Sequence, residues 1–436
     1  MRLSRWLGAG AVLGLCFSLW PFLSGGNPLP PALSKVLPRS MPRQKVDLSG
    51  LDLLRLDVRP SKVTAPLPGG RQAELTLDPV VQRAAEKVMR KYRVPEAGVV
   101  AMSPKTGEII AYASHVEGGN KFDVNLRAEA PAASVFKVVT GSALVETAGL
   151  TSETEQCYRG GRSRIMAAEL RDDPERDKWC ATLGIAMGRS LNVVFGRLAQ
   201  KHLTPEDLTK MGGAFGFGSP VPFEVKNDPP MIDVPADPVE FARTAAGFWN
   251  TTLSPLAAAS LAQTIASGGR TLRPFIVRSV TVGEEVVYRA PEEAIVVRRA
   301  VEQHTAEEVT RMMLHTVASG SAYSTFHDQR GRPFLPGIEV AAKTGTLTRE
   351  KENRHYTWMI AFAPAKDPQI AVAALVVNSP EWRIKGPHLA LEVLRTYFAE
   401  HPPLSVAPLG AGLAPPGSEA KDAPRLEQRG MASLEE

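Results

Sequence analysis

Apolar positions first fall into register near residue 79. Val80, Val81, Ala84, Ala85, Val88 and Met89 share one face of a helix. Asp78 stands before Pro79, the pairing of a cap residue with proline at the first helical position. A helix is therefore expected over 79–92. Two short apolar runs follow at 98–102 and 108–113, joined by Ser103-Pro104-Lys105-Thr106-Gly107. They predict a hairpin around a Pro/Gly turn. From about 132 to 270 helical periodicity dominates, over 132–147, 181–202, 205–212 and 254–267, and it returns at about 304–318. Strand patterns then occupy 339–343, 356–362 and 370–377, the last two separated by Pro364-Ala365-Lys366-Asp367-Pro368. A final helix is expected over about 387–399.

This order of two strands, many helices, three strands and one helix predicts an α+β fold. One antiparallel sheet is assembled from both ends of the domain, with a large all-helical insert between them. No internal repeat is visible. The folded domain is expected over 72–400. Residues 26–71 are rich in Pro, Gly and basic residues with weak periodicity, and read as a stalk or lead-in. Residues 401–436 turn to Pro, Ala, Gly and charge, the composition of a disordered tail.

Residues 1–25 have a different pattern. Arg2 and Arg5 precede an uncharged run from Trp6 to Leu23, about 18 residues and just long enough to cross a bilayer as a helix. The alternatives are a membrane anchor and a cleaved signal segment. The long run and the lack of an A-x-A site favour the anchor. Leu15-Cys16 lacks the small residue expected before a lipidated cysteine. Flanking arginines keep the short N-terminus in the cytoplasm and send the rest of the chain outside. Both readings export it.

Composition narrows the field. Of 436 residues, 44% are hydrophobic and 22% charged, enough apolar material for a large core. The net charge of +5 comes without a dense Lys/Arg block and interleaved aromatics, which argues against nucleic acid as a partner. Cys16 sits in the apolar run. Cys157 and Cys180 lie in the exported part, where an oxidising compartment favours a disulfide over two buried thiols. No His/Cys cluster has metal-ligand spacing, so neither a metal nor another cofactor is expected. Met312 and Met313 read as core. His304, His315 and His327 read as surface or core, and Trp179 and Trp249 as cleft or core.

Three short motifs carry candidate chemistry. Ser134-Val135-Phe136-Lys137 stands at the start of a predicted helix. Residues three apart share a helix face, so Lys137 reaches the Ser134 hydroxyl. A helix N-terminus favours negative charge near the serine oxygen. Val135, Phe136, Val138 and Val139 would desolvate the lysine and prepare it to act as a base. Ser190-Leu191-Asn192 offers a hydroxyl and an amide to relay a proton and orient a substrate. Lys343-Thr344-Gly345-Thr346 follows an apolar stretch. On an edge strand it offers backbone groups to an extended substrate. Gly345 permits close approach, and Lys343 with the threonine hydroxyls could hold a carboxylate. Each motif alone is weak; the first arises by chance on the order of once in such a chain.

Together they are specific. A Ser-x-x-Lys on a buried helix, Ser-x-Asn about 56 positions later and Lys-Thr-Gly about 150 beyond that is the signature of the penicillin-recognising serine enzymes. From about residue 72 to 400 the sequence resembles the transpeptidase domain of penicillin-binding proteins, of the monofunctional class B type. The stretches LTLDPVVQRAAEKVM, GVVAMSPKTGEIIAYAS, SVFKVVTGSALVE, GRSLNVVFGRLA and AAKTGTL carry the likeness.

The resemblance implies a β-lactamase/transpeptidase-like fold and a peptidoglycan D,D-transpeptidase of the bacterial envelope. Ser134 would attack the carbonyl of a stem peptide ending in D-Ala-D-Ala, with Lys137 as base. Ser190 and Asn192 would shuttle a proton and hold the peptide. Lys343, Thr344 and Thr346 would bind the terminal carboxylate, and the N–H groups of Ser134 and Thr346 would form the oxyanion hole. β-Lactams would trap Ser134. A membrane glycosyltransferase is the implied partner, since the chain shows no room for such a domain of its own. The closest alternatives are a D,D-carboxypeptidase or a β-lactamase on the same scaffold. A silent β-lactam sensor or wall scaffold is a third. One departure stands out: many relatives carry a Gly-Gln-Gly turn where this chain reads Gly247-Phe248-Trp249.

Overall fold

The computed structural model describes residues 46–118, 121–161 and 164–403. The apolar run 6–23 and the tail from 404 onward lie outside the described residues.

The central sheet has five antiparallel strands. Their order is Ala341–Arg349, Arg354–Ala363, Ile370–Asn378, Glu96–Met102 and Ile109–Val116. The three C-terminal strands thus pair with the N-terminal hairpin, and the observed class is α+β. Alternate residues of each strand point to opposite faces, and both faces are covered. Val99, Ala101, Val372 and Ala374 join one core with the helices Pro79–Lys91 and Gly386–Glu400. Val100, Met102, Ala373 and Leu375 join the other with Pro255–Ala266 and the helical insert. Ala341–Arg349 pairs on one side only and leaves its other edge open.

The helix after Asp78 forms as its sequence directs. The Asp78 carboxylate accepts from the N–H of Val80 at 2.8 Å and of Val81 at 3.1 Å, so two of the unpaired amides at the helix start are satisfied.

Three expectations need correction. Part of the expected stalk is folded: Asp57–Val58, Val63–Leu67 and Arg71–Leu75 form a second sheet with Val277–Val282 and Glu285–Arg289. Val63, Ala65 and Leu67 are buried. Gly69 and Gly70 both have positive φ in the turn between two of these strands, so the Pro/Gly content there is turn chemistry rather than linker composition. The strands between 270 and 300 went unread, because much of that region is exposed and lacks a clean alternation. Finally, 132–147 and 181–202 are not continuous helices. A 3-10 turn, Ala133–Phe136, precedes the helix Lys137–Ala148. Leu183–Arg189 and Asn192–His202 are separate helices, parted at Ser190, whose φ is +58°.

Within the insert, Glu155–Tyr158 pairs with Trp179–Thr182, and Cys157 is disulfide-bonded to Cys180 across that ladder. Arg197, fully buried, donates to both Asp177 carboxylate oxygens at 2.6 and 2.9 Å and to the carbonyls of Glu169 and Cys157. The guanidinium holds Asp177 well below the usual carboxylate range. Asp177→Ala would remove the bidentate partner of a buried cation, leaving Arg197 only Asp172 at 3.3 Å as a carboxylate. It should cost about 3–5 kcal/mol, read as a lower urea midpoint with an unchanged slope.

Candidate active site

The nucleophile candidate sits in a strained turn. Strand Ala130–Pro131 leads into Ala133, whose φ of +49° is left-handed for a residue with a side chain. Ser134 follows in the 3-10 turn, one turn before the α-helix begins at Lys137. The expected placement at an α-helix start is thus shifted by a turn.

Lys137 has no exposed surface. Its Nζ lies 2.9 Å from Ser134 Oγ and 2.8 Å from Asn192 Oδ1, and it also donates to the Ala246 carbonyl. The Phe195 ring lies 5.7 Å away. Burial drives the Lys137 pKa well below that of a free lysine, and the positive charge of Lys343 adds to the shift. A neutral amine has two N–H donors and one lone pair. Lys137 Nζ donates to Ser134 Oγ, Asn192 Oδ1 and the Ala246 carbonyl; once it loses a proton, two donors remain for Asn192 and Ala246 and a lone pair becomes available to the Ser134 hydroxyl.

Lys343 is equally buried. Its Nζ is 3.0 Å from Ser190 Oγ and 2.8 Å from the Thr344 carbonyl. Desolvation pulls it down to about 7. Thr346 is exposed further along the same strand. Gly345 brings that strand against the turn bearing Ser134: a Cβ there would stand 3.3 Å from Ala133 Cβ. The structure therefore gathers Ser134, Lys137 and Asn192 in one contact set and Ser190, Lys343 and Thr344 in a second. The Cys157–Cys180 ladder lies apart, in the insert.

Several participants were not read from sequence. Gly188 and Gly320 touch backbone to backbone, since a Cβ on Gly320 would meet the Gly188 carbonyl oxygen at 2.3 Å. Ser321 N donates to that same carbonyl at 2.9 Å, and Ser321 Oγ meets Thr344 Oγ1 at 2.5 Å. This loop ties the helix end bearing Ser190 to the Lys343 strand. Gly247, with φ +81°, underlies the turn bearing Ser134: a Cβ there would lie 2.3 Å from Ala133 O and 3.1 Å from Ser134 Cα. Glycines at 188, 247 and 320 were visible, but the contacts that require them are between segments distant in sequence. Met312 and Met313 are core, while Trp179 and Trp249 are exposed.

The family described as the penicillin binding protein transpeptidase domain matches residues 97–396. The chain belongs to this family. Peptidoglycan D,D-transpeptidase PbpA of Mycobacterium tuberculosis is 30% identical over 356 residues, which cover 72% of this chain and 69% of that protein. The crystal structure of PBPA from M. tuberculosis matches this transpeptidase domain with a TM-score of 0.61 at 26% identity, over 75% of this chain and 81% of that one. The same relative as an imipenem acyl-enzyme complex gives 0.60 at 26% identity, over 75% and 79%. This chain is homologous to class B PbpA and has the α+β transpeptidase fold.

Two outcomes are expected of this arrangement. Gly247→Ala must displace the turn carrying Ser134, and a misplacement of that kind costs about a hundredfold in rate. The second-order rate of labelling by a fluorescent penicillin measures it, with circular dichroism confirming the fold. The other outcome concerns pH. An unfolded lysine titrates near ~10.4, whereas folded Lys343 titrates at about 7. Between these values the unfolded chain binds the extra proton, so stability rises with pH from about 7 and levels off toward ~10.4. Lys343→Met should remove Lys343's share of that rise and leave the share that Lys137 contributes, read as the change in Tm across the window.

Proposed function

We propose that this chain is a peptidoglycan D,D-transpeptidase that works through a Ser134 acyl-enzyme. One observation carries the reading: the buried Lys137 amine stands between Ser134 Oγ and Asn192 Oδ1, at 2.9 and 2.8 Å. A desolvated amine in that position is a base placed on a serine hydroxyl.

Ser134 Oγ attacks the penultimate D-alanine carbonyl while its proton passes to Lys137 Nζ. The backbone N–H groups of Ser134 and Thr346 receive the developing oxyanion. The bond to the terminal D-alanine then breaks. Its nitrogen takes the proton held on Lys137 Nζ, relayed by Ser190, which also hydrogen-bonds Lys343; the acyl group is left on Ser134 and Lys137 is neutral again. An amine of a neighbouring stem peptide attacks this ester. Its proton is returned through Lys137, and the Ser134 hydroxyl is regenerated. Lys343, Thr344 and Thr346 hold the terminal carboxylate, and Gly345 lets the donor approach the edge strand. Asn192 holds the donor peptide as well as Lys137. A β-lactam imitates the D-Ala-D-Ala end, and its ring opens on Ser134 with no fragment lost. The reading places the domain outside the cytoplasmic membrane, tethered by the segment 6–23. A membrane glycosyltransferase would supply the glycan strands.

The penicilloyl form should persist. Fast hydrolysis requires a base that aims water at the ester, and none of the glutamates 206, 224 and 240 contacts Ser134, Lys137 or Asn192 among the described hydrogen bonds. Glu224 accepts from the N–H groups of Ile276 and Val277, Glu240 pairs with Arg243, and Glu206 is exposed on a helix first turn. Labelling with fluorescent penicillin, followed by removal of free drug, tests both points. Wild type should retain label for many minutes, and Ser134→Ala should take none while still folded. Label on another residue overturns the nucleophile. A half-life of seconds with steady penicillin turnover points to a β-lactamase.

A further inference from the structure

The edge strand Ala341–Arg349 is tied to the helical insert at two successive residues. Lys343 Nζ reaches Ser190 Oγ at 3.0 Å, and Thr344 Oγ1 meets Ser321 Oγ at 2.5 Å. The first contact joins two of the motifs read from the sequence. The second brings in a residue that belongs to none of them. Burial does not demand it. Ser321 is exposed and Thr344 half-buried, so water would satisfy either hydroxyl. The contact has to be explained by what it does to the two protons.

Ser321 is fixed independently of its side chain. Its N–H donates to the Gly188 carbonyl at 2.9 Å, and Ala322 N donates to Thr316 O at 3.0 Å. Ala322 is fully buried and pins the loop from beneath. Gly320 lies so close to Gly188 that a Cβ on it would stand 2.3 Å from the Gly188 carbonyl oxygen. Gly188 is two residues before Ser190. The short segment 188–190 therefore positions both hydroxyls, the one that meets Lys343 and the one that meets Thr344.

A hydroxyl carries one proton and two lone pairs, and an unpartnered threonine hydroxyl turns among staggered positions. In the contact as it stands either oxygen can be the donor. A carboxylate beside Thr344 removes that choice, because an anion accepts and does not donate. Thr344 must then give its proton to the carboxylate, and Ser321 must give its own to Thr344 Oγ1. The chain of hydrogen bonds runs one way, and each bond polarises the next. We infer that Ser321 is a positioning residue for acylation: its hydroxyl donates to Thr344 Oγ1 and turns the Thr344 proton toward the terminal carboxylate of the donor. The inference rests on the acyl-transfer reading above. A purely structural role for the loop would run through the Ser321 N–H and Gly320, which a change of side chain at 321 leaves in place.

The test compares Ser321→Thr with Ser321→Val on the full chain. The two side chains have nearly the same shape and differ in the hydroxyl. The second-order rate of acylation by benzylpenicillin is followed by intact mass over hours, so that slow variants remain measurable. Ser321→Thr should stay within about twofold of wild type, and Ser321→Val should be slower by about tenfold. In a Thr344→Val background the difference between the two variants should shrink to within about twofold, since the hydroxyl they act on is gone. Equal rates for Ser321→Thr and Ser321→Val overturn the inference, whether both are fast or both slow. A difference that survives undiminished in the Thr344→Val background overturns it too, because Ser321 would then act by another route. Both of these results leave the acyl-transfer reading standing. A wild-type chain that benzylpenicillin does not acylate overturns that reading and this inference with it.

Discussion

An ammonium ion is among the most expensive groups to remove from water, and this fold buries two lysine amines, which disfavours the charged form of each. Lys137 and Lys343 are both without exposed surface, and burial lowers the pKa of each. The charge of Lys343 further disfavours a proton on Lys137. The two lysines therefore differ in what surrounds them. Lys137 meets a hydroxyl, an amide oxygen and a backbone carbonyl, while Lys343 meets a hydroxyl and a carbonyl. A base and a residual cation can coexist in one cleft only if such differences hold their titrations apart.

Holding them apart requires unusual backbone around them. Ala133 and Ser190 both take left-handed conformations without being glycine, and Gly247, Gly188 and Gly320 occupy positions where a Cβ would collide with neighbouring main chain. Strain of this kind persists only when the surrounding packing over-determines it. Here the packing comes from opposite sides. The central sheet presents Lys343 and Gly345, and the insert presents Ser190 and Asn192. Ser321 bridges the two through Gly188 and Thr344.

The disulfide and the Arg197–Asp177 pair belong to the same logic. Arg197 is on the helix that begins with Asn192, so the contacts that fix its guanidinium also fix the amide that touches Lys137. The segment Glu155–Thr182 thus acts as a brace for that helix rather than as a separate lobe. Its disulfide joins the two strands Glu155–Tyr158 and Trp179–Thr182.

The sequence by itself determined the elements with strong local signals. Asp78-Pro79 marked a helix start, the turn at 103–107 marked a hairpin, and the largely apolar runs at 356–362 and 370–377 marked central strands. The order of these elements was enough for the α+β class and for a sheet closed from both ends. The three motifs were legible because their spacing is long and ordered. The tertiary structure decided what local signals do not encode. Residues 57–75 became sheet because a partner strand 200 residues away, Val277–Val282, pairs with Arg71–Leu75, on which the two preceding strands are built. A helical pattern at 132–147 yielded to a 3-10 turn, and the pattern at 181–202 broke at Ser190. At both places contacts from Gly247 and from Gly320 hold the chain in conformations that propensity alone disfavours. The identity of the groups was written locally. Their distances, and the desolvation that alters their chemistry, exist only once segments far apart in the chain exclude water together.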